Sequence, residues 1–234
     1  MKGMTGFGRA KGQNGVYEVT VDVSTVGANG CYPVSIASLG LTNNTVFPVY
    51  VLSNSSGGDN ENTAVVVATG NNFLPPNYDS FRRIGWAFIA YSTGYLLPYV
   101  QSGHQTERLY ILQDPVTVLS AGAATTKTTL DLTSTVGLVP PNRNVEVVLN
   151  VEITPNAADG YVVLEPSLLT SGSLPPTQIF GSVAGHKNSS MVRMIATPNA
   201  STGDANISYF VDNSSSASTI NLVGFVDSLS TALT

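Results

Sequence analysis

Hydrophobic and polar positions alternate along much of this chain with a period of two. Tyr17, Val19, Val21 and Val23 are interleaved with Glu18, Thr20, Asp22 and Ser24. Further on, Val145, Val147, Leu149, Val151 and Ile153 alternate with Glu146, Asn150 and Glu152, and only Val148 breaks the rhythm. Successive side chains of a strand point to opposite faces, so this period sends one set into a core and the other into solvent. Ile207–Asp212 and Leu222–Asp227 repeat the pattern more faintly. Phe47–Leu52, Ala64–Ala68, Ile84–Ala90 and Leu109–Leu112 are short apolar runs of the kind expected of strands buried on both faces.

Turn formers separate these segments. Asn43-Asn44, Ser55–Asn60, Pro75-Pro76-Asn77, Pro140-Pro141-Asn142 and Asp159-Gly160 supply the residues that tolerate tight or left-handed backbone. No long stretch carries apolar residues at helical spacing between plausible caps, so almost no helix is expected. About a dozen short strands spaced roughly 8–12 residues apart predict an all-β protein, an antiparallel β-sandwich or jelly-roll-like fold. The natural division is three-part. An arm or docking segment spans 1–15, a β domain rich in Tyr, Phe and Trp spans 16–103, and a Val/Ile/Leu-rich β-sandwich domain spans 104–234. The cut is placed at Ser102-Gly103-His104, and Lys2, Arg9 and Lys11 give the Gly-rich arm its basic character.

Composition narrows the function classes. Charged residues make up 11% of the chain against 42% hydrophobic, with Ser, Thr, Asn and Gly supplying the polarity. So few charges suit a hydroxyl- and amide-rich surface or one largely covered in an assembly. The net charge is −5, and the basic residues are scattered apart from Arg82-Arg83. A phosphate-tracking face is therefore not expected, and no nucleic-acid partner. No apolar run approaches the roughly 18 residues a membrane span needs, so no membrane insertion is expected. The first residues lack a signal-peptide core, and the lone Cys31 excludes an internal disulfide, which fits synthesis in a cytosol. Asn-x-Ser/Thr triplets such as Asn54-Ser55-Ser56 follow from the Asn/Ser/Thr content alone.

Two stretches resemble a module of bacteriophage tail-fibre and other virion proteins. The first, Asp22–Gly30, is followed by Tyr50-Val51 and then by Leu74-Pro75-Pro76-Asn77-Tyr78-Asp79-Ser80-Phe81-Arg82-Arg83-Ile84-Gly85. Asn77 stands where that module has Gly before Tyr, a position both residues tolerate in left-handed backbone. The second, Val223-Gly224-Phe225-Val226-Asp227, resembles the closing strand of such proteins. The resemblance implies a multimeric β-structure of a phage particle and no reaction. It is set against a shorter match, Met4–Ala10, which resembles the start of an endoribonuclease-like bacterial stress-protein family. That family continues in charged helices, which are absent here.

Catalysis finds no support in the sequence. His104 and His186 both sit in Gly/Ser-rich turns, and Gly181–Gly185 has its serine one place too early for a nucleophile elbow. No pair of carboxylates stands out for glycoside cleavage, because most acidic residues, Glu146 and Glu152 among them, fall on solvent-facing strand positions. No cofactor is expected. Two histidines and one cysteine far apart give no zinc spacing, and Asp59–Glu61 is left as an open question for calcium. Trp86 and Phe88 share a strand face and are read as core. Tyr91 and Tyr95, around a Ser92-Thr93-Gly94 turn, and Arg82 and Arg83 are the candidate interface or ligand contacts. The sequence thus predicts a non-enzymatic virion structural protein, made in the host cytoplasm and self-associating as a homotrimer or other homo-oligomer. As a tail fibre or appendage it would dock on the particle through its arm and meet a host surface glycan or protein. As a capsid decoration or cement protein it would clamp shell subunits. A secreted carbohydrate-binding module is the alternative from another class.

Overall fold

A computed structural model of the chain describes residues 10–12, 15–17, 26, 31–32, 44–53, 63–67, 80–90, 97–103, 107–133, 137–167 and 176–228. They are built almost wholly of strands, as the alternation predicts. Among them only Leu132 and Thr133 are helical, in a turn closed by the Gly137 N–H donating to the Thr133 carbonyl at 2.7 Å. The chain divides into two compact units, Met1–Leu97 and Pro98–Thr234.

In the first unit, β1 (Ala10–Gly12) and β2 (Gly15–Tyr17) form a small antiparallel ribbon within the expected arm region and its border. The rest of the Tyr17–Ser24 alternation lies outside the described residues. A four-stranded sheet follows, in the order β3 (Cys31–Tyr32), β5 (Thr63–Val67), β4 (Thr45–Ser53), β6 (Ser80–Ile89). Its pairs are antiparallel except β3 with β5, which is parallel. Trp86, Ala87, Phe88 and Ile89 are all buried, so this part of β6 is covered on both faces as its unbroken apolar run predicts.

The second unit holds a nine-stranded sheet curled on itself. Its order is β12 (Thr177–Gly181), β11 (Gly160–Pro166), β14 (Ala205–Val211), β13 (Asn188–Pro198), β10 (Val145–Thr154), β15 (Ala217–Ser228), β8 (Glu107–Gly122), β7 (Tyr99–Gly103). β9 (Thr128–Asp131) pairs with β14 off this path. β13 meets β14 only through Thr197↔Asn206 and Pro198↔Ala205, and there the sheet turns its corner. Its two halves then face each other as a sandwich. A Cβ on Gly122 of β8 would meet the Tyr209 hydroxyl of β14 at 2.6 Å, and one on Gly181 of β12 would meet Pro155 Cδ, just past β10, at 2.7 Å.

Between the halves lies the core: Val145, Val147, Leu149, Val151 and Ile153 of β10, Val192 and Met194 of β13, Val162 and Leu164 of β11, and Ile207 and Val211 of β14. Their burial follows directly from the period-two pattern. Two expectations need correction. Tyr99–Gly103 was expected to end the first domain, but it pairs antiparallel with Arg108–Leu112 and so belongs to the second unit. Leu109–Leu112 is not buried on both faces. Tyr110 and Leu112 point inward while Leu109 and Ile111 stay half-exposed, because β8 lies next to the outermost strand of its half-sheet.

Candidate interaction surface

Arg83 reaches its position through a bulge. β4 pairs Val49 with Gly85 but Tyr50 with Arg83, leaving Ile84 as the extra residue. Three residues apart, Arg83 and Trp86 would face opposite ways in a regular strand. The bulge returns them to one face, and the guanidinium lies 4.7 Å from the Trp86 ring centroid. Such a stack contributes on the order of 0.5–2 kcal/mol. Arg83 therefore has an intramolecular task, which the sequence reading did not assign. Trp86 and Phe88 are 4% and 1% exposed, as expected of core aromatics. The backbone of Arg82 lies in β6 opposite Val51, but its side chain is outside the described residues. Tyr91, Tyr95, His104 and the Asp59–Glu61 loop are also outside them. His186 is exposed in the turn after β12, its N–H donating to the Val183 carbonyl at 3.2 Å.

Among the described residues, an open face with exposed apolar side chains is the outer face of β13-β10-β15-β8-β7. Direct pairings fix its rows. Arg193, Val148, Gly224, Ile111 and Val100 lie side by side, and Ile195, Glu146, Val226, Leu109 and Ser102 form the neighbouring row. Met191 begins a third row, followed by Asn150, Asn221 and Thr117, whose hydroxyl donates to Asn221 Oδ1 at 2.8 Å. Met191 and Ile195 on β13 and Val100 on β7, at the two ends of this face, are 59%, 42% and 62% exposed, and Val148 on β10 is buried. The charges in this face include the loose pair Arg193–Glu146, 3.8 Å apart, and, further along β10, Glu152 with Lys187 at 2.7 Å. Val148, the residue that breaks the alternation of β10, is one sign in the sequence that this outer face is apolar. Met191–Ala196, apolar in both phases apart from Arg193, is a second.

Aromatic side chains mark two other places. Tyr161 and Phe180 pair edge-on across β11 and β12, with centroids 5.9 Å apart, and Phe180 is 56% exposed beside the edge of the sheet. Inside the sandwich, Tyr99, Tyr110 and Phe225 form a row across β7, β8 and β15, with centroid spacings of 5.8 and 5.1 Å. Burial pushes both tyrosine hydroxyls above their ordinary pKa. For Tyr110 the carboxylate of Asp227 adds to the rise while Arg108 opposes it. Asp227, itself buried, faces Arg143 at 3.8 Å. This cluster lies at the ends of strands β7, β8 and β15.

Among the described residues no three His, Cys, Asp or Glu side chains gather as a metal-holding group, and no helix is long and apolar enough to cross a membrane. Comparison with family models, curated proteins and solved structures finds no match to this chain.

Proposed function

We propose that this protein is a non-enzymatic structural component of a bacteriophage particle, a multimeric tail-fibre or appendage subunit that assembles through sheet faces. The observation that carries the reading is the outer face of the second unit, where Met191 and Ile195 on β13 and Val100 on β7 stand exposed on one face of the sheet. Exposed apolar side chains gathered on one face mark an association surface rather than a solvated one. With charged residues at 11% of the chain, little charge is available to keep copies apart. The resemblance of Leu74–Gly85 and Val223–Asp227 to phage structural modules supplies the setting. Partners on this reading are further copies of the chain and other virion proteins, with a host surface as the distal contact.

Gold-labelled antibody against the chain, imaged on intact phage particles, tests the proposal. Label at the tail is the expected result. Label spread over the head would replace the appendage with a capsid decoration protein. Absence from particles would overturn the virion assignment and leave a carbohydrate-binding module as the reading to pursue.

A further inference from the structure

β7 ends the nine-stranded sheet on one side, and among the described residues only β8 pairs with it. Tyr99–Gly103 carries no charge, no proline and no bulge, the devices that keep open strand edges from pairing. Val100 is 62% exposed, and Gln101 and Ser102 are exposed as well. β7 is thus a bare edge that presents an apolar side chain.

Its hydrogen-bonding phase follows from one bond. The Gln113 N–H donates to the Pro98 carbonyl at 3.0 Å, in the same register that pairs Val100 with Ile111 and Gln101 with Tyr110. Bonded and non-bonded pairs alternate along an antiparallel ladder, so Val100 and Ser102 turn their backbone groups toward β8. Gln101 therefore turns its N–H and C=O away from β8, toward the open edge. Backbone groups aimed outward from a neutral strand are what an added strand needs.

The strand suits its own copy. Two antiparallel β7 strands centred on Gln101 set Gln101 against Gln101, so each N–H meets the other's C=O. The same register sets Val100 against Ser102 and Tyr99 against Gly103, a larger side chain against a smaller one each time. No like charges meet, because the strand has none. Val100 also lies in the row that continues through Ile111, Gly224 and Val148, so the pairing joins the outer faces of both copies into one surface. We infer that β7 pairs with β7 of a second copy about a two-fold axis at Gln101. The inference rests on the self-association proposed above, to which it adds an edge contact, and needs no virion setting.

Oxidative cross-linking and sedimentation velocity of the full chain test this. Gln101→Cys places two cysteines with Cα atoms about 5.5 Å apart across the axis, within disulfide reach. Ser102→Cys places them on the diagonal, about 7–8 Å apart. Under oxidised glutathione, Gln101→Cys should yield at least about fivefold more linked dimer than Ser102→Cys, joined through residue 101 of each copy. The wild type, whose sole cysteine is Cys31, is the control. Gln101→Pro removes an N–H that β8 does not use, so it should keep Tm and raise the concentration for half-dissociation about tenfold. Should that variant not fold, the cysteine pair decides. A wild type that sediments as a monomer at all concentrations overturns both the self-association and this contact. A wild-type oligomer whose Gln101→Cys variant does not link overturns the edge pairing alone, as does equal linking at both positions or an unweakened, folded Gln101→Pro.

Discussion

At the scale of single residues, a few positions carry more than their side-chain type suggests. Gly224 sits beside the β-bulge of β15, where Val148 pairs with Gly224 but Leu149 pairs with Leu222, leaving Val223 as the extra residue. A Cβ there would overlap the Tyr110 carbonyl, which is backbone and cannot swing aside. Gly224→Ala is expected to destabilise the second unit by about 1–3 kcal/mol or more, read as a lower urea midpoint with unchanged slope. Tyr110 sets the alkaline limit. Its folded pKa lies above the unfolded value of about 10, so its stabilising contribution is complete below that pH and is lost as pH rises past it. Urea midpoints should therefore fall as pH rises above about 10, and Tyr110→Phe should flatten part of that fall. A midpoint equally pH-dependent in the variant would assign the loss to other groups.

Elements show how bulges rewrite a simple alternation. β10 keeps period-two burial along its length except at Val148, which is buried on the outer face, and its inward residues form the centre of the sandwich. Leu149→Ala should cost about 2–5 kcal/mol, whereas Asn150→Ala on the outer face should change stability by no more than about 0.5 kcal/mol. Equal effects in chemical denaturation would contradict the assigned faces. β15 reads less clearly because its bulge turns Leu222 and Phe225 to the same side despite their odd separation. β8 is interrupted in the same way around Pro115, which cannot donate to a ladder. There Ile111 pairs with Gly224 but Val116 already pairs with Leu222. The turns were more legible. Asn142 and Asp159, expected as turn residues from their sequence neighbours, both adopt a φ of 61°.

On the scale of the whole molecule, the second unit draws its entire sheet and core from Pro98–Thr234. Residues 98–234 expressed alone should fold, giving a strand-type circular dichroism spectrum and one cooperative thermal transition. Loss of that transition would mean the first unit is required for folding. The outer face of this unit should mediate self-association. Replacing Val100, Met191 and Ile195 together by Ser should shift sedimentation toward monomer while leaving the monomer's Tm nearly unchanged, since these side chains are already exposed. An unaltered sedimentation profile would move the association surface elsewhere, with the exposed Phe180 edge as the next place to probe.

The sequence by itself determined that this is an all-β protein, which strands alternate inward and outward, and where several of its turns fall. Those features rest on local steric preference and on a hydrophobic period that any stretch of chain reveals. Only the tertiary structure decided that Tyr99–Gly103 joins the second unit, because hairpin pairing outweighs a turn signal that reads equally as a domain boundary. It alone placed Arg83 over Trp86, since a bulge has no local signature strong enough to announce a change of face. And it alone set Asp131 opposite Asn206 and Glu165 opposite Ser208, pairs 75 and 43 positions apart in sequence. Their meeting depends on which strands flank β14, a matter of long-range pairing that local periodicity does not encode.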